Sequence, residues 1–208
     1  MKELVLNNSL VSHKMGILRD KNTPTKEFRE IVKELSSQLC YEAFRDAETT
    51  DCRIDTPITS TTVKRIDLGQ YVFVPILRAG LGMMDGILQA VPTATFGFIG
   101  LYRNEETLEP VEYFFKMPPE IEKRKVIVLD PMLATGGSAV NAIDQLKKHG
   151  VSQITFLCIV SCPQGIETLK AAHPDVRIFT AALDERLNDR GYIIPGLGDA
   201  GDRIFNTL

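Results

Sequence analysis

The sequence predicts an α/β protein built on an open, mainly parallel sheet flanked by helices. Short apolar runs bounded by turn residues recur at 71–77 (YVFVPIL), 126–129 (VIVL), 154–160 (ITFLCIV) and 176–182 (VRIFTAA). Near-continuous apolar runs of this length suit strands buried on both faces. Segments with apolar residues three and four apart lie between them. Strand and helix alternate from 71 to 184, the order that builds a parallel sheet with helices on both faces.

The elements follow in order. Thr23-Pro24 is a helix start signal for 25–45, where Ile31, Leu35 and Leu39 lie four apart and Phe28 and Val32 fill the same face. Residues 49–67 are polar and β-branched, with a short strand expected at 59–63. The run 71–77 is a buried strand, followed by Arg78-Ala-Gly-Leu-Gly and a helix to about Ala90. A strand is expected over 94–101, then an acidic turn at 104–110, from which 113–116 pairs back as a hairpin over the sheet's edge. The strand 126–129 ends on Asp130, and a helix at 139–148 is closed by Gly150. Strands at 154–160 and 176–182 are separated by a helix near 167–172. With no internal repeat, low-complexity segment or linker, one domain over 1–208 is the expectation.

Bulk properties exclude several classes. The chain has 208 residues, 44% hydrophobic and 25% charged, enough to bury a sizeable core. A net charge of −3 and a pI near 5.7 provide no general attraction to nucleic acid or anionic membrane. Neither a signal-peptide core nor an apolar run of the roughly 18 residues a membrane span requires is present. Cys40, Cys52, Cys158 and Cys162 form no CxxC pair and have no metal-type spacing with His13, His149 or His173. A reduced, cytoplasmic setting is expected, with Cys158 a buried core thiol. The three histidines lack an acidic or nucleophilic neighbour in sequence and read as structural or surface groups.

The stretch 125–139, KVIVLDPMLATGGSA, carries the chemistry. In open α/β sheets, ligands bind beyond the carboxyl ends of the strands, which is where Asp130 falls. Thr135, Gly136, Gly137 and Ser138 supply backbone N–H groups with little obstruction and two hydroxyls. The next helix carries Ala139, Ala142, Ile143 and Leu146 on one face, so its positive end is anchored toward the loop. A phosphate monoester fits there. The competing reading is a plain strand-to-helix turn with Ser138 as N-cap. A Walker loop is excluded because no Lys follows Gly137. The string GLGDAG at 196–201 matches GxGxxG, but it lies near the C-terminus outside any βαβ unit, so a dinucleotide site is rejected.

DPMLATGGS resembles the phosphoribosyl-pyrophosphate signature of the uracil phosphoribosyltransferases. The resemblance extends to PILRAGLGMMDG at 75–86, YRNEETLEPV at 102–111 and YIIPGLGDAGDRIF at 192–205. Most phosphoribosyltransferases carry two adjacent acids at this strand end; here Leu129 precedes Asp130 and Pro131 follows, a departure typical of the uracil branch. The resemblance implies a phosphoribosyltransferase-like fold with a hairpin flap and a small base-binding hood from the terminal segments. It implies a pentosyltransferase of pyrimidine salvage that makes UMP and diphosphate from uracil and phosphoribosyl pyrophosphate.

Site residues follow from the same resemblance. Arg78 and Arg103, each just past a strand end, would contact the diphosphate with bidentate forks, and Ala79-Gly80 would give the backbone room to approach it. Asp130 would hydrogen-bond the ribose hydroxyls, and with Arg103 it forms the expected catalytic pair. Pro131, Met132, Leu133, Ala134, Thr135, Gly136, Gly137 and Ser138 would complete the phosphoribosyl-pyrophosphate site, with Asp199 beside it. Ile193, Gly198, Asp199 and Ala200 would read uracil. Mg²⁺ would arrive mainly on the diphosphate, with no dedicated protein ligand set. GTP is a possible effector, and a homodimer or tetramer is expected; nucleic acid and membrane are not expected as partners.

Overall fold

The computed structural model describes residues 4–103 and 110–207; at 102, 103, 110 and 111 it describes the backbone path alone. Along the chain run β1 (Leu4–Val5), α1 (Ser9–Arg19), α2 (Thr25–Ala43), β2 (Thr50–Asp55), β3 (Ser60–Arg65), β4 (Tyr71–Leu77) and α3 (Met84–Ala90). Then come β5 (Thr95–Phe96), β6 (Phe98–Arg103), β7 (Pro110–Lys116), β8 (Lys125–Leu129), β9 (Met132–Leu133) and α4 (Gly137–Lys148). The last elements are β10 (Gln153–Ser161), α5 (Pro163–Ala172), β11 (Arg177–Leu183), β12 (Arg186–Leu187), β13 (Ile193–Ile194) and α6 (Ala200–Phe205).

The main sheet has the order β1-β11-β10-β8-β4-β6-β7, parallel throughout except for the β6–β7 hairpin at one edge. Its strands separate two cores, and the alternation of side chains along a strand decides which core each residue enters. Phe73, Ile127, Leu129, Leu157, Ile159 and Phe179 face the helices α1, α2 and α3. Val72, Val74, Val126, Val128, Phe156 and Ile178 face α4 and α5. Both faces of the strands are therefore apolar, as their unbroken hydrophobic runs predict.

The structure refines several expectations. The strand expected at 94–101 is two strands. β5 pairs with β4 at Val72 and Phe73, and the Gly97 N–H then donates to the Phe73 carbonyl before β6 resumes at Ile76 and Leu77. Residues 49–67 form a complete two-stranded hairpin, β2–β3, paired only with itself. Helices α1 and α6 and the small β12–β13 ladder were not expected. The acidic residues Glu105, Glu106 and Glu109 lie outside the described residues.

The histidine reading holds. His13 is exposed, His149 caps α4 and stacks on Phe115 of β7, and His173 is buried beside Asp144. Cys40, Cys158 and Cys162 are buried, and burial pushes the Cys40 and Cys158 thiols up to about 12. Cys52 is partly exposed on β2. Since the thiolate is the reactive form, titration of the native protein with a thiol reagent is expected to show one fast group. Cys52→Ser should abolish it, and the other three should react only on unfolding. A second fast thiol in the native protein would contradict this burial.

Candidate active site

The parallel strands β4, β6, β8 and β10 deliver their carboxyl ends to one rim. Asp130 sits on it immediately after β8, its N–H donating to the Leu157 carbonyl at 3.2 Å. The Pro131 carbonyl then accepts from Ile159 and Val160, each at 3.0 Å, and β9 pairs with Val160 and Ser161 of β10. The loop is thus laid along β10 before it turns into α4. The turn is made by Gly136, whose φ of +86° is open to glycine and strained for other residues. Gly136, not Ser138, is the N-cap of α4; Ser138 lies in the first helical turn, where the backbone has already turned. Ala139, Ala142, Ile143 and Leu146 are buried as the spacing predicts, so the helix's positive end is held at the loop.

Two adjoining hollows share this rim. One of about 90 Å³ is bounded by Asp130, Met132, Leu133, Ala134, Thr135, Gly136 and Ser138. The other, about 230 Å³, has Ala79, Asp130, Met132 and Ala134 on one side and Tyr192, Ile193, Gly198, Asp199 and Ala200 on the other. Asp130, Met132 and Ala134 line both, so the hollows form one continuous cleft. All four residues expected to read the base line the second hollow. Pro131 and Gly137 line neither, and Pro131 is buried with its carbonyl bound to β10. A larger hollow of about 760 Å³ lies between α1 and α2, lined by Lys14, Glu34 and Tyr41 among others, and contains none of the rim residues.

Asp130 is the unusual group of the cleft. Burial pushes its carboxyl up from the ordinary 3.8 to about 7; the charge of Asp199 adds to the rise, and the Met132 N–H, at 3.4 Å, opposes it. Asp199 lines the same cleft and also caps α6 by accepting the Asp202 N–H at 2.9 Å. Two carboxylates facing one cleft suit a ligand that brings a cation or hydroxyl donors. Among the described residues no group of three or more His, Cys, Asp or Glu could hold a metal on its own.

The arginines are placed by the sheet. Arg78 follows β4 directly, largely exposed, with its guanidinium 3.9 Å from the Asp202 carboxylate. Arg103 ends β6 opposite Pro110 on the neighbouring strand; its side chain lies outside the described residues. Gly80 departs from expectation. A Cβ there would lie 2.5 Å from the Leu129 carbonyl oxygen, so its lack of side chain serves packing of the backbone on β8 rather than open room beside a ligand. Ala79 does line the cleft. Sequence reasoning missed Tyr192, Gly191 and Gly201; Tyr192, an exposed aromatic opening the string at 192–205, was the available signal.

The GxGxxG string links β13 to the six-residue α6 rather than opening a βαβ helix. A parallel sheet with helices on both faces, a strand-end acid and a helix-capped loop define a protein of the phosphoribosyltransferase fold. A hypoxanthine-guanine phosphoribosyltransferase structure from Bacillus anthracis shares that fold at TM-score 0.50 and 14% identity, over 77% of this chain and 79% of that one. The uracil phosphoribosyltransferase family profile matches residues 5–207. A uracil phosphoribosyltransferase of Streptococcus pneumoniae strain R6 is 57% identical over 203 residues, covering 98% of this chain and 97% of that protein. One from Macrococcus caseolyticus is 56% identical over the same length. A solved protein from Aquifex aeolicus superposes at TM-score 0.92 with 40% identity, covering 98% of each chain. The chain belongs to the uracil phosphoribosyltransferase family.

Proposed function

We propose that this chain, acting as one domain over residues 1–208, transfers the phosphoribosyl group of phosphoribosyl pyrophosphate to N1 of uracil. The products are UMP and diphosphate, the salvage reaction of free uracil. The observation that carries the reading is the continuous cleft in which Asp130 stands between the Thr135–Ser138 loop and the 191–201 loop.

The 5′-phosphate is held by the backbone N–H groups and hydroxyls of Ala134, Thr135, Gly136, Gly137 and Ser138 at the positive end of α4. Asp130 accepts hydrogen bonds from the ribose hydroxyls. Arg78 and Arg103 on the rim bind the departing diphosphate and stabilise its developing charge. Asp130 and Asp199 are the acids of the cleft that would face Mg²⁺ arriving on the diphosphate, which would supply Lewis-acid stabilisation. Uracil presents acceptor, donor and acceptor at O2, N3–H and O4. Backbone groups of Ile193, Gly198, Asp199 and Ala200, which line the hollow, would supply the complementary donors and acceptor, and cytosine would leave a buried group unpaired. No side-chain nucleophile is required: holding the two substrates in register supplies much of the acceleration.

The chain has a pI near 5.7, and among the described residues no helix is long and apolar enough to cross a membrane. A cytoplasmic enzyme, active as a dimer or larger assembly, is the setting that fits this reading. The test is an assay of purified protein with phosphoribosyl pyrophosphate, Mg²⁺ and each of uracil, cytosine, hypoxanthine and orotate, with and without GTP. Nucleotide from uracil alone is expected. Turnover of another base would reassign the specificity, and none with any base would sink the enzyme reading.

A further inference from the structure

We propose that Arg19, Asp184 and Arg203 are positioning residues that hold the 193–200 loop in its base-reading shape, and so govern uracil affinity without touching uracil. The proposal rests on the reading of that loop as the uracil site. None of the three lines the cleft, so each can act on the base only through the loop.

Asp184 is anchored to the sheet, its N–H donating to the Ser161 carbonyl at 2.8 Å just past β11. Its side chain is only 4% exposed and is paired with Arg19, the last residue of α1. Arg19 donates through Nη1 to Asp184 Oδ2 at 2.6 Å and through Nη2 to Oδ1, a two-pronged pairing. The pair then takes both backbone groups of one residue. The Gly196 N–H donates to Asp184 Oδ2 at 2.8 Å, and the Gly196 carbonyl accepts from Arg19 Nη1 at 2.6 Å. Gly196 has φ of +62°, and a Cβ there would lie 2.1 Å from the Ile193 carbonyl oxygen, so the turn it makes is tight.

Arg203 holds the next residue. Its Nη1 donates to the Leu197 carbonyl at 2.8 Å and to the Leu18 carbonyl at 2.7 Å, while Nη2 reaches the Asp20 carbonyl at 2.7 Å. Its guanidinium lies 4.2 Å from the centre of the Phe28 ring. Two successive loop carbonyls, at 196 and 197, are therefore held by two arginines, one the last residue of α1 and the other bound to the carbonyls on either side of it. Ile193, Gly198, Asp199 and Ala200, which line the cleft, flank this clamp. Rigid backbone recognition needs such support, because an ångström of play in a reading loop erodes binding. The planar two-pronged pairing of Arg19 with one carboxylate, and the spread of the Arg203 donors over three carbonyls, are geometries that the compact Lys ammonium does not reproduce.

The test uses Arg19→Lys, Arg203→Lys and Asp184→Asn in the full chain, with melting curves and separate KM values for the two substrates. Wild-type protein is first assayed with uracil; absence of turnover there would overturn the base-loop reading and this proposal with it. Given wild-type turnover, each variant that retains a cooperative melt is expected to raise KM for uracil at least 10-fold. KM for phosphoribosyl pyrophosphate should stay within 2-fold, and cytosine should be discriminated less well. A purely structural role predicts a lower melting temperature with both KM values unchanged, or both raised together. Either result in folded Arg19→Lys or Arg203→Lys overturns the proposal, as does failure of both to fold.

Discussion

Asp130→Asn is expected to lower kcat by at least about 100-fold while leaving the fold intact, the scale of losing one interaction made in the transition state. In the proposed reaction the carboxylate accepts hydrogen bonds from the ribose hydroxyls as positive charge builds on the sugar carbon; an amide is uncharged and offers one acceptor oxygen. The pH dependence is a second readout. With its carboxyl at about 7 in the unliganded protein, Asp130 is half protonated near neutrality. If its ionised form is the active one, kcat/KM for phosphoribosyl pyrophosphate should rise with pH through about 7 and then level, and Asp130→Asn should lose that limb. Stability runs the other way. A carboxyl raised above its unfolded value makes the folded state bind the proton more tightly, so wild-type stability falls as pH rises from about 4 to about 7. Asp130→Asn cannot take on that charge, so its melting temperature should exceed wild type by a margin that grows from pH 5 to pH 8. Wild-type kinetics in this variant would remove Asp130 from the site.

Gly165→Ala is the second large effect. Gly165 lies in the first turn of α5, directly behind the 133–138 loop that is proposed to hold the phosphate. A Cβ there would lie 2.4 Å from the Leu133 carbonyl oxygen and 2.5 Å from that of Ala134. Both are backbone atoms, so the loop or the helix must move by about an ångström, and misplacement of that size costs on the order of 100-fold in rate. The expected result is a rise of at least 10-fold in KM for phosphoribosyl pyrophosphate and a similar or larger fall in kcat/KM, with uracil KM little changed. Overpacking should also cost roughly 1–3 kcal/mol of stability. Gly86→Ala separates the two consequences. Its Cβ would lie 2.1 Å from the Lys33 carbonyl oxygen where α3 packs on α2, and Gly86 lines neither hollow, so it should lower the melting temperature without altering either KM. Wild-type substrate kinetics in Gly165→Ala would show that this loop does not hold the phosphate.

Much of the fold is legible from local patterns. The four apolar runs are strands because each is too short for a helix and bounded by turn residues, and they fill two cores because alternate side chains face opposite ways. Helix α4 begins within two residues of its predicted start, since its apolar spacing and glycines are neighbours in sequence. The elements that escaped notice are those too short or too polar to carry a local apolar pattern. The weak two-residue strands β12 and β13 exist by pairing with one another, and α6 is six residues long, with Ile204 packed into the core built by α1 and α2. The hairpin β2–β3 has polar, exposed strands whose only regular signal is β-branching.

The candidate site divides along the same line. The acid at a strand end, the small-residue loop after it and the glycine-rich C-terminal string are each contiguous, so the sequence alone determined which groups these loops carry and, through the resemblance, the family. Only the tertiary structure decided that the two halves share one cleft through Asp130, Met132 and Ala134. It also decided that burial and Asp199 lift the Asp130 carboxyl toward neutrality, and that Gly80 packs against β8. The ion pair that holds Gly196 joins Arg19 to Asp184 across 165 positions of chain. Composition and spacing report only on neighbours along the chain. Desolvation and ion pairing depend on distances in space, which exist only once the sheet has brought the strand ends to one rim.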